Sequence, residues 1–161
     1  MGTITTDGFT FDLPAAKDIY EFDCDIKSDA HYHGFKEMKA VDVLAEFDTA
    51  YLFIEVKDFY NPKLSKVTTP NPDLLNDLKY KYRDSFLYQM SHGKTDKPIY
   101  YICVLEHLDS AMMMHLAKNL GKSIPDDSHL PVGWKTTFLK TAIVVDKSKW
   151  NQTLSVWGMV Y

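Results

Sequence analysis

Two adjacent segments of the chain carry the hydrophobic pattern of a β-hairpin. Residues 41–47 alternate apolar and polar side chains as a half-buried strand does, and residues 51–56 form a continuous apolar run rich in sheet-favouring types. Asp48 and Thr49 between them form the predicted turn. The pattern therefore predicts two antiparallel strands joined by a tight loop.

Two helices are predicted on either side of this hairpin. Pro14 followed by AAKDIYEF is typical of a short helix that opens on proline, whereas residues 23–39 show no clear period. Further along, Asp73 is a good N-cap for a longer helix that ends near Gly93. The apolar residues on one side of that helix are Leu74, Leu75, Leu78, Tyr82, Phe86 and Met90.

The second half of the chain predicts three strands and one helix. Pro98 introduces the apolar segment IYYICVLE, which indicates a buried strand, and a helix is expected from about Asp109 to Leu120, where Gly121 ends it. The segments TTFLKTAIVVD and TLSVWGMVY predict two further strands. The order hairpin, helix, strand, helix, strand, strand is typical of an α/β fold with a mixed sheet.

Length and composition favour one domain spanning residues 1–161. The chain has 161 residues, 45% of them apolar, which is enough for a single packed core. Neither a leader pattern nor an apolar stretch of bilayer length is present in the sequence, so we expect a cytoplasmic protein without membrane contact. Cys24 and Cys103 stand far apart and are expected to be small core residues.

Charge is distributed unevenly along the chain. The net charge of −4 gives no overall attraction to nucleic acid, so any such binding depends on local charge. Residues 1–50 carry eleven Asp and Glu against four Lys, a balance of −7, which leaves +3 for the remainder. An acidic part beside a basic part suits a metal site that faces a phosphate-binding surface.

The predicted hairpin places two carboxylates side by side. If Phe47 faces Ala50 across the turn, Asp42 falls opposite Glu55 on the same face of the hairpin. Like charges so placed repel each other unless one is protonated or a cation lies between them. A hard divalent ion such as Mg²⁺ or Mn²⁺ suits this oxygen-rich position.

Lys57 is predicted to complete this group of residues. Side chains alternate along a strand, so Glu55 and Lys57 share one face. There the Lys57 ammonium would orient or help deprotonate an attacking water and contact a phosphate, and the ion would polarise the phosphoryl oxygen. The residues Asp42, Glu55 and Lys57 therefore predict metal-assisted hydrolysis of a phosphodiester. The alternative is an ordinary solvated strand edge, because a Glu-x-Lys triplet alone is common.

The segment VDVLAEFDTAYLFIEVKDF resembles the signature of the PD-(D/E)xK nuclease superfamily, over roughly residues 35–106. The resemblance implies a restriction-endonuclease-like fold in which Asp42, Glu55 and Lys57 are catalytic and the Val56 carbonyl completes the metal shell. It also implies a helix and a strand after the motif. An upstream acidic residue often joins such sites, and the sequence leaves Glu21 and Glu37 open for that role.

A basic group on the long helix is the predicted nucleic-acid contact. Its members are Lys79, Lys81 and Arg83, with Lys63 and Lys66 in the preceding loop. The alternative is that Lys79 and Arg83 are helix-surface charges offset by Asp77 and Asp84. His31 and His33 could form a metal pair on a strand, but an ordinary loop or surface position is favoured for both.

These features lead to two hypotheses. The first is a small nuclease dependent on Mg²⁺ or Mn²⁺ that acts on DNA rather than RNA and forms a homodimer to cut both strands. The second is a catalytically silent domain of the same fold that serves as an interaction module for nucleic acid or protein. Metal dependence separates them.

Overall fold

A computed structural model describes residues 2–60, 62, 63, 66, 72–128 and 130–161 of the chain. The elements are, in chain order, β1 (Thr3–Thr6), β2 (Phe9–Asp12), β3 (Asp18–Glu21), β4 (Val43–Glu46), β5 (Tyr51–Asp58), α1 (Pro72–Ser91), β6 (Ile99–Glu106), α2 (Ser110–Ser123), β7 (Thr141–Val145), α3 (Lys147–Thr153) and β8 (Met159–Val160).

The strands form two sheets. The larger has the order β3-β4-β5-β6-β7, in which β4 pairs antiparallel with β3 and β5, and β6 pairs parallel with β5 and β7. The smaller sheet is antiparallel and has the order β1-β2-β8. The described residues thus form a mixed α/β fold with two sheets and three helices, which confirms the predicted fold class at that level.

Each face of the larger sheet carries its own hydrophobic cluster. On one face Phe53 and Tyr101 pack with Leu78 of α1 and Leu116 of α2. On the other face alternate residues of β5, such as Leu52 and Ile54, pack with Phe11 of β2 and Trp150 of α3. Because both faces of β5 are covered, its sequence is a continuous apolar run rather than an alternating one.

The predicted hairpin and its register are confirmed. β4 pairs antiparallel with β5, with Val43 opposite Ile54, and the Phe47 amide donates to the Ala50 carbonyl at 2.8 Å. One further step along this register places Asp42 opposite Glu55, as predicted.

The long helix is also confirmed, with a small change at its start. α1 begins at Pro72, so Asp73 lies in its first turn instead of capping it. Its buried stripe contains the predicted residues Leu74, Leu78 and Tyr82, whereas Met90 is exposed. The helix ends at Ser91, just before Gly93 with its positive φ of 69°.

The predicted helix after Pro14 is wrong. Asp18–Glu21 is instead β3, whose Ile19 lies opposite Ala45 of β4. Four residues of weak helical pattern gain little from local propensity, because short helices are marginal in water, whereas pairing with β4 satisfies their backbone.

The C-terminal third differs in part from expectation. β7 lies in the first of the two segments predicted as strands. The second holds only the two-residue β8, and the short helix α3, capped by Asp146, precedes it. α2 begins at Ser110, close to the expected start, with Asp109 as its N-cap, but it passes through Gly121 and ends at Ser123.

Cys24 and Cys103 are both buried, as predicted. In the described part of the chain, no helix combines the length and apolar character needed to cross a membrane.

Candidate active site

An open cleft of about 570 Å³ lies where β4 begins and β5 ends. Its lining residues are Asp7, Asp23, Asp42, Glu55, Val56, Lys57, Asp58, Phe59 and Lys81. The three predicted catalytic residues Asp42, Glu55 and Lys57 therefore lie together in this cleft. The pair Asp42 and Glu55 comes from the end of the β4–β5 hairpin, where the two residues face each other.

Asp42 and Glu55 form a buried carboxylate pair. Asp42 is 6% exposed and Glu55 is 0% exposed. The Val56 amide donates to Asp42 Oδ2 at 2.6 Å, so one Asp42 oxygen is held by the neighbouring strand. Neither oxygen of Glu55 accepts a hydrogen bond of good geometry from the described residues. Two lysine ammonium groups lie near these oxygens, but a buried carboxylate without well-formed hydrogen bonds is costly, which marks Glu55 as a functional candidate.

Both carboxyl groups are shifted towards the protonated form. Burial raises the pKa of Glu55 well above its ordinary value, and the neighbouring Asp42 charge raises it further. Burial also raises the pKa of Asp42, although Lys81 and the Val56 amide oppose that shift. Such shifts are common where a site holds like charges close together for chemistry or metal binding.

The structure brings Lys81 of α1 into this pair. Its Nζ donates to Asp42 Oδ1 at 3.3 Å and lies 3.0 Å from Glu55 Oε2 and 3.5 Å from Asp23 Oδ2. The Lys81 side chain is only 13% exposed. Burial alone would lower the pKa of Lys81, but the charges of Glu55 and Asp42 outweigh it and raise the pKa. Lys81 is therefore a charged member of the site.

Lys57 lies on the other side of Glu55. Its Nζ is 3.6 Å from Glu55 Oε1 and 3.1 Å from Asp77 Oδ2, and its side chain remains 31% exposed. Asp77 also accepts from Lys39 Nζ at 2.7 Å. Burial opposes ionisation of Asp77, but these two lysines lower its pKa overall. Asp77 thus anchors Lys57 at the mouth of the cleft.

The other members of the predicted basic group are not among the residues that line the cleft. Lys79 Nζ and Arg83 Cζ lie 5.2 and 5.6 Å from the centre of the Tyr80 ring. Lys79 Nζ also donates to Asn76 Oδ1. Lys63 and Lys66 are exposed. Asp77 and Asp84, the acidic residues that were expected to offset Lys79 and Arg83, have other partners. Asp77 pairs with Lys39 and Lys57, and Asp84 accepts from the Lys39 amide at 2.9 Å.

Two acidic residues join the cleft from upstream, Asp7 and Asp23, and of these Asp23 contacts Lys81. Glu21 is exposed and accepts from Thr6 Oγ1, and Glu37 is exposed; neither lines the cleft. Asp23 follows β3, where the Phe22 amide donates to the Asp42 carbonyl at 2.8 Å. A strand assignment for β3 would have predicted this position, because it places the residues after β3 beside Asp42.

His31 and His33 pack against aromatic rings. His31 stacks on Tyr20 with ring centroids 3.8 Å apart, and His33 lies 5.5 Å from the Phe22 ring. Both histidines lie in a segment without regular secondary structure, so the strand pair that a metal site would need is not formed.

The residues of the cleft fit a magnesium or manganese ion. Within the described ranges no group of three or more His, Cys, Asp and Glu side chains is arranged as a complete metal cage. Mg²⁺, however, is usually held by one or two carboxylates with waters and substrate phosphates. Asp42 and Glu55 offer carboxylate oxygens of that kind, and Val56 lines the cleft with them.

Comparisons with known proteins give no further guidance on this site. The chain matches no protein-family model, no curated protein and no solved structure.

Proposed function

We propose that this protein is a divalent-metal-dependent nuclease that hydrolyses phosphodiester bonds in DNA. The observation that carries the proposal is the buried pair Asp42 and Glu55, with Lys57 beside it in an open cleft. A protein without catalytic or metal-binding use for that pair would gain stability by replacing one of its members, since buried like charges are costly.

The arrangement of elements supports a restriction-endonuclease-like fold. The resemblance implied a hairpin that presents the acidic residues, then a helix and a further strand. β4 and β5 supply such a hairpin, α1 supplies a helix, and β6 lies parallel to β5 over eight residues. Assignment to that fold remains part of this proposal.

In the proposed reaction each side chain of the cleft has a separate task. Asp42 and Glu55 would hold Mg²⁺ or Mn²⁺ in their ionised forms, and the Val56 carbonyl would be a further oxygen ligand. When bound, the ion would supply an activated water and neutralise charge on the phosphoryl oxygens. The Lys57 ammonium, held by Asp77, donates hydrogen bonds to a phosphate oxygen or to the attacking water. Asp77 fixes its position, as the 3.1 Å contact indicates.

Lys81, Lys79 and Arg83 remain the proposed nucleic-acid contacts. Lys81 lines the cleft, where it would meet the phosphate being cut. Lys79 and Arg83 would meet phosphates further along the strand. A single site cuts one strand, so cleavage of both strands of a duplex calls for a homodimer.

The second candidate function is a catalytically silent interaction module. Lys81 favours this alternative, because its ammonium contacts both carboxylates and neutralises one of their charges. In such a module the ion pairs would be structural and a metal would not be needed.

Cleavage of labelled DNA tests the proposal. Single-stranded, duplex and branched substrates are incubated with Mg²⁺, Mn²⁺ or EDTA, and wild type is compared with Lys57→Ala and the matched control Lys79→Ala. We expect metal-dependent cleavage that Lys57→Ala lowers by about 100-fold or more and Lys79→Ala lowers far less. Cleavage that continues in EDTA, or that Lys57→Ala leaves unchanged, would exclude the proposed chemistry. No cleavage of any substrate would favour the interaction module.

A further inference from the structure

The Lys81 ammonium lies at the position where a cation between the two carboxylates would lie. It is 3.3 Å from Asp42 Oδ1 and 3.0 Å from Glu55 Oε2, so it contacts one oxygen of each member of the pair. Those are the side chains that the proposed ion would use. A lysine ammonium and a divalent ion cannot share one position between two carboxylates, because both bind through the same oxygen lone pairs.

Lys81 also has a second anionic neighbour. Asp23 Oδ2 is 3.5 Å from Lys81 Nζ, and the Asp23 side chain is 48% exposed, so Asp23 lies on the solvent side of the ammonium. A lysine side chain carries its charge on a flexible four-carbon stem, and a shift of its end towards Asp23 requires no movement of α1. The Lys81 ammonium can therefore keep an ion pair with Asp23 when it leaves Asp42 and Glu55.

We propose that Lys81 and a divalent metal ion compete for the Asp42–Glu55 pair, and that Asp23 retains the Lys81 ammonium when the metal enters. This inference rests on the proposed metal site. It assigns Lys81 a role that an ordinary phosphate contact does not have: Lys81 sets the metal affinity and keeps the buried carboxylates paired when no metal is bound. As a positioning residue, it also delivers a positive charge to the edge of the cleft at the moment the metal binds.

The competition has a direct consequence for Lys81→Met. Methionine keeps the length and apolar stem of lysine but removes the charge that the metal must displace. Metal binding to the variant is then free of the competing ion pairs, while Asp42 and Glu55 remain. We expect its affinity for Mn²⁺ to rise by about 5- to 150-fold, the range that typical coupling free energies between two binding events produce.

Titration calorimetry with Mn²⁺ tests the proposal without reference to activity. Wild type is compared with Lys81→Met, with the matched control Lys79→Met from the same helix, and with Asp42→Asn. Thermal melting with and without Mn²⁺ accompanies each titration. If loss of Lys81 weakens the fold, the melting temperature of Lys81→Met should rise more with Mn²⁺ than that of wild type.

A second comparison isolates the part played by Asp23. In the wild-type background, Asp23→Asn removes the alternative partner of Lys81 and should weaken Mn²⁺ binding. In the Lys81→Met background the same substitution should have little effect, because no ammonium remains to be held.

The outcomes separate this inference from the proposed function. Tighter Mn²⁺ binding by Lys81→Met, with Lys79→Met unchanged, supports the competition. If wild type binds Mn²⁺ through Asp42 but Lys81→Met binds it equally or more weakly, the competition is refuted and the metal site stands. Equal weakening by Asp23→Asn in both backgrounds refutes the role of Asp23. If neither wild type nor Lys81→Met binds Mn²⁺, the proposed metal site itself fails.

Discussion

Replacement of Glu55 by glutamine should stabilise the metal-free protein at neutral and alkaline pH. Glu55 is 0% exposed, and neither of its oxygens accepts a hydrogen bond of good geometry from the described residues. Lys81 and Lys57 attract its charge, yet burial and Asp42 outweigh them and raise its pKa well above 4.5. The charged form of Glu55 is therefore less favourable here than in an exposed glutamate, and glutamine matches the protonated side chain in size and shape.

The pH dependence follows from the direction of this pKa shift. The folded protein holds the Glu55 proton more tightly than the unfolded chain does, so stability from this group is complete below about 4.5, the pKa in the unfolded chain. Stability is lost as pH rises from that value through the higher pKa of the folded state. Glu55→Gln cannot ionise, so its advantage over wild type should appear within this window and persist above it.

The expected size of the effect comes from the cost of burying a carboxylate whose charge is not fully compensated, because glutamine removes that charge. Such a group costs about 1–3 kcal/mol, and more when charged. In a domain of this length 1 kcal/mol changes the melting temperature by about 2–4 °C. We therefore expect Glu55→Gln to melt roughly 2–12 °C above wild type near pH 8 in EDTA, and the difference to vanish near pH 4.

Glu46→Gln is the matched control with the opposite expected sign. Glu46 lies on the neighbouring strand, where Lys97 Nζ donates to it at 2.6 Å. This hydrogen bond lowers the pKa of Glu46, and its contribution to stability is present above 4.5 and lost as pH falls. Glu46→Gln should therefore lower the melting temperature near pH 8. If Glu55→Gln also melts below wild type there, attraction to Lys81 and Lys57 exceeds the cost of burial and the reasoning is refuted.

Two further predictions concern the elements that position the site, and both are measured by urea denaturation monitored by circular dichroism. Leu78→Ala, at a fully buried position of α1, should lower the free energy of unfolding by about 2–5 kcal/mol, and a loss below 1 kcal/mol would mean that α1 is not packed on the sheet as described. Asp109→Ala removes the N-cap of α2, whose side chain accepts from the Ala111 amide at 2.8 Å, and should cost about 1 kcal/mol; an unchanged midpoint would contradict the cap.

The core of the candidate site could be predicted from the sequence because it depends on local periodicity. A period of two fixes which side chains of a strand share a face, and the turn at Asp48 and Thr49 fixes the register of the hairpin. These two facts alone place Asp42 opposite Glu55.

The hairpin of β1 and β2 was missed by the sequence analysis, although its turn has a typical sequence. β1 and β2 are joined by Asp7 and Gly8, both with positive φ, at 46° and 80°. Asp-Gly between alternating apolar residues is a strong sign of a tight hairpin turn, because glycine adopts positive φ without steric cost. β3 offered no such signal, since its strand character comes from pairing with β4.

Lys81 illustrates what local pattern cannot settle. It lies three positions after Leu78 and seven after Leu74, so it shares the buried side of α1, and a lysine there is unusual enough to indicate a buried anionic partner. The identity of that partner depends on how α1 lies across the sheet. Only the tertiary arrangement brings the ammonium to Asp42 and Glu55.

Anomalous diffraction from crystals soaked in Mn²⁺ tests the central claim most directly. We expect a manganese peak bonded to the carboxylates of Asp42 and Glu55, with octahedral oxygen coordination and the Lys81 ammonium moved away from the pair. A peak at any other position, or none at Mn²⁺ concentrations that fill the site in solution, would contradict the claim that this pair is a metal-binding active site.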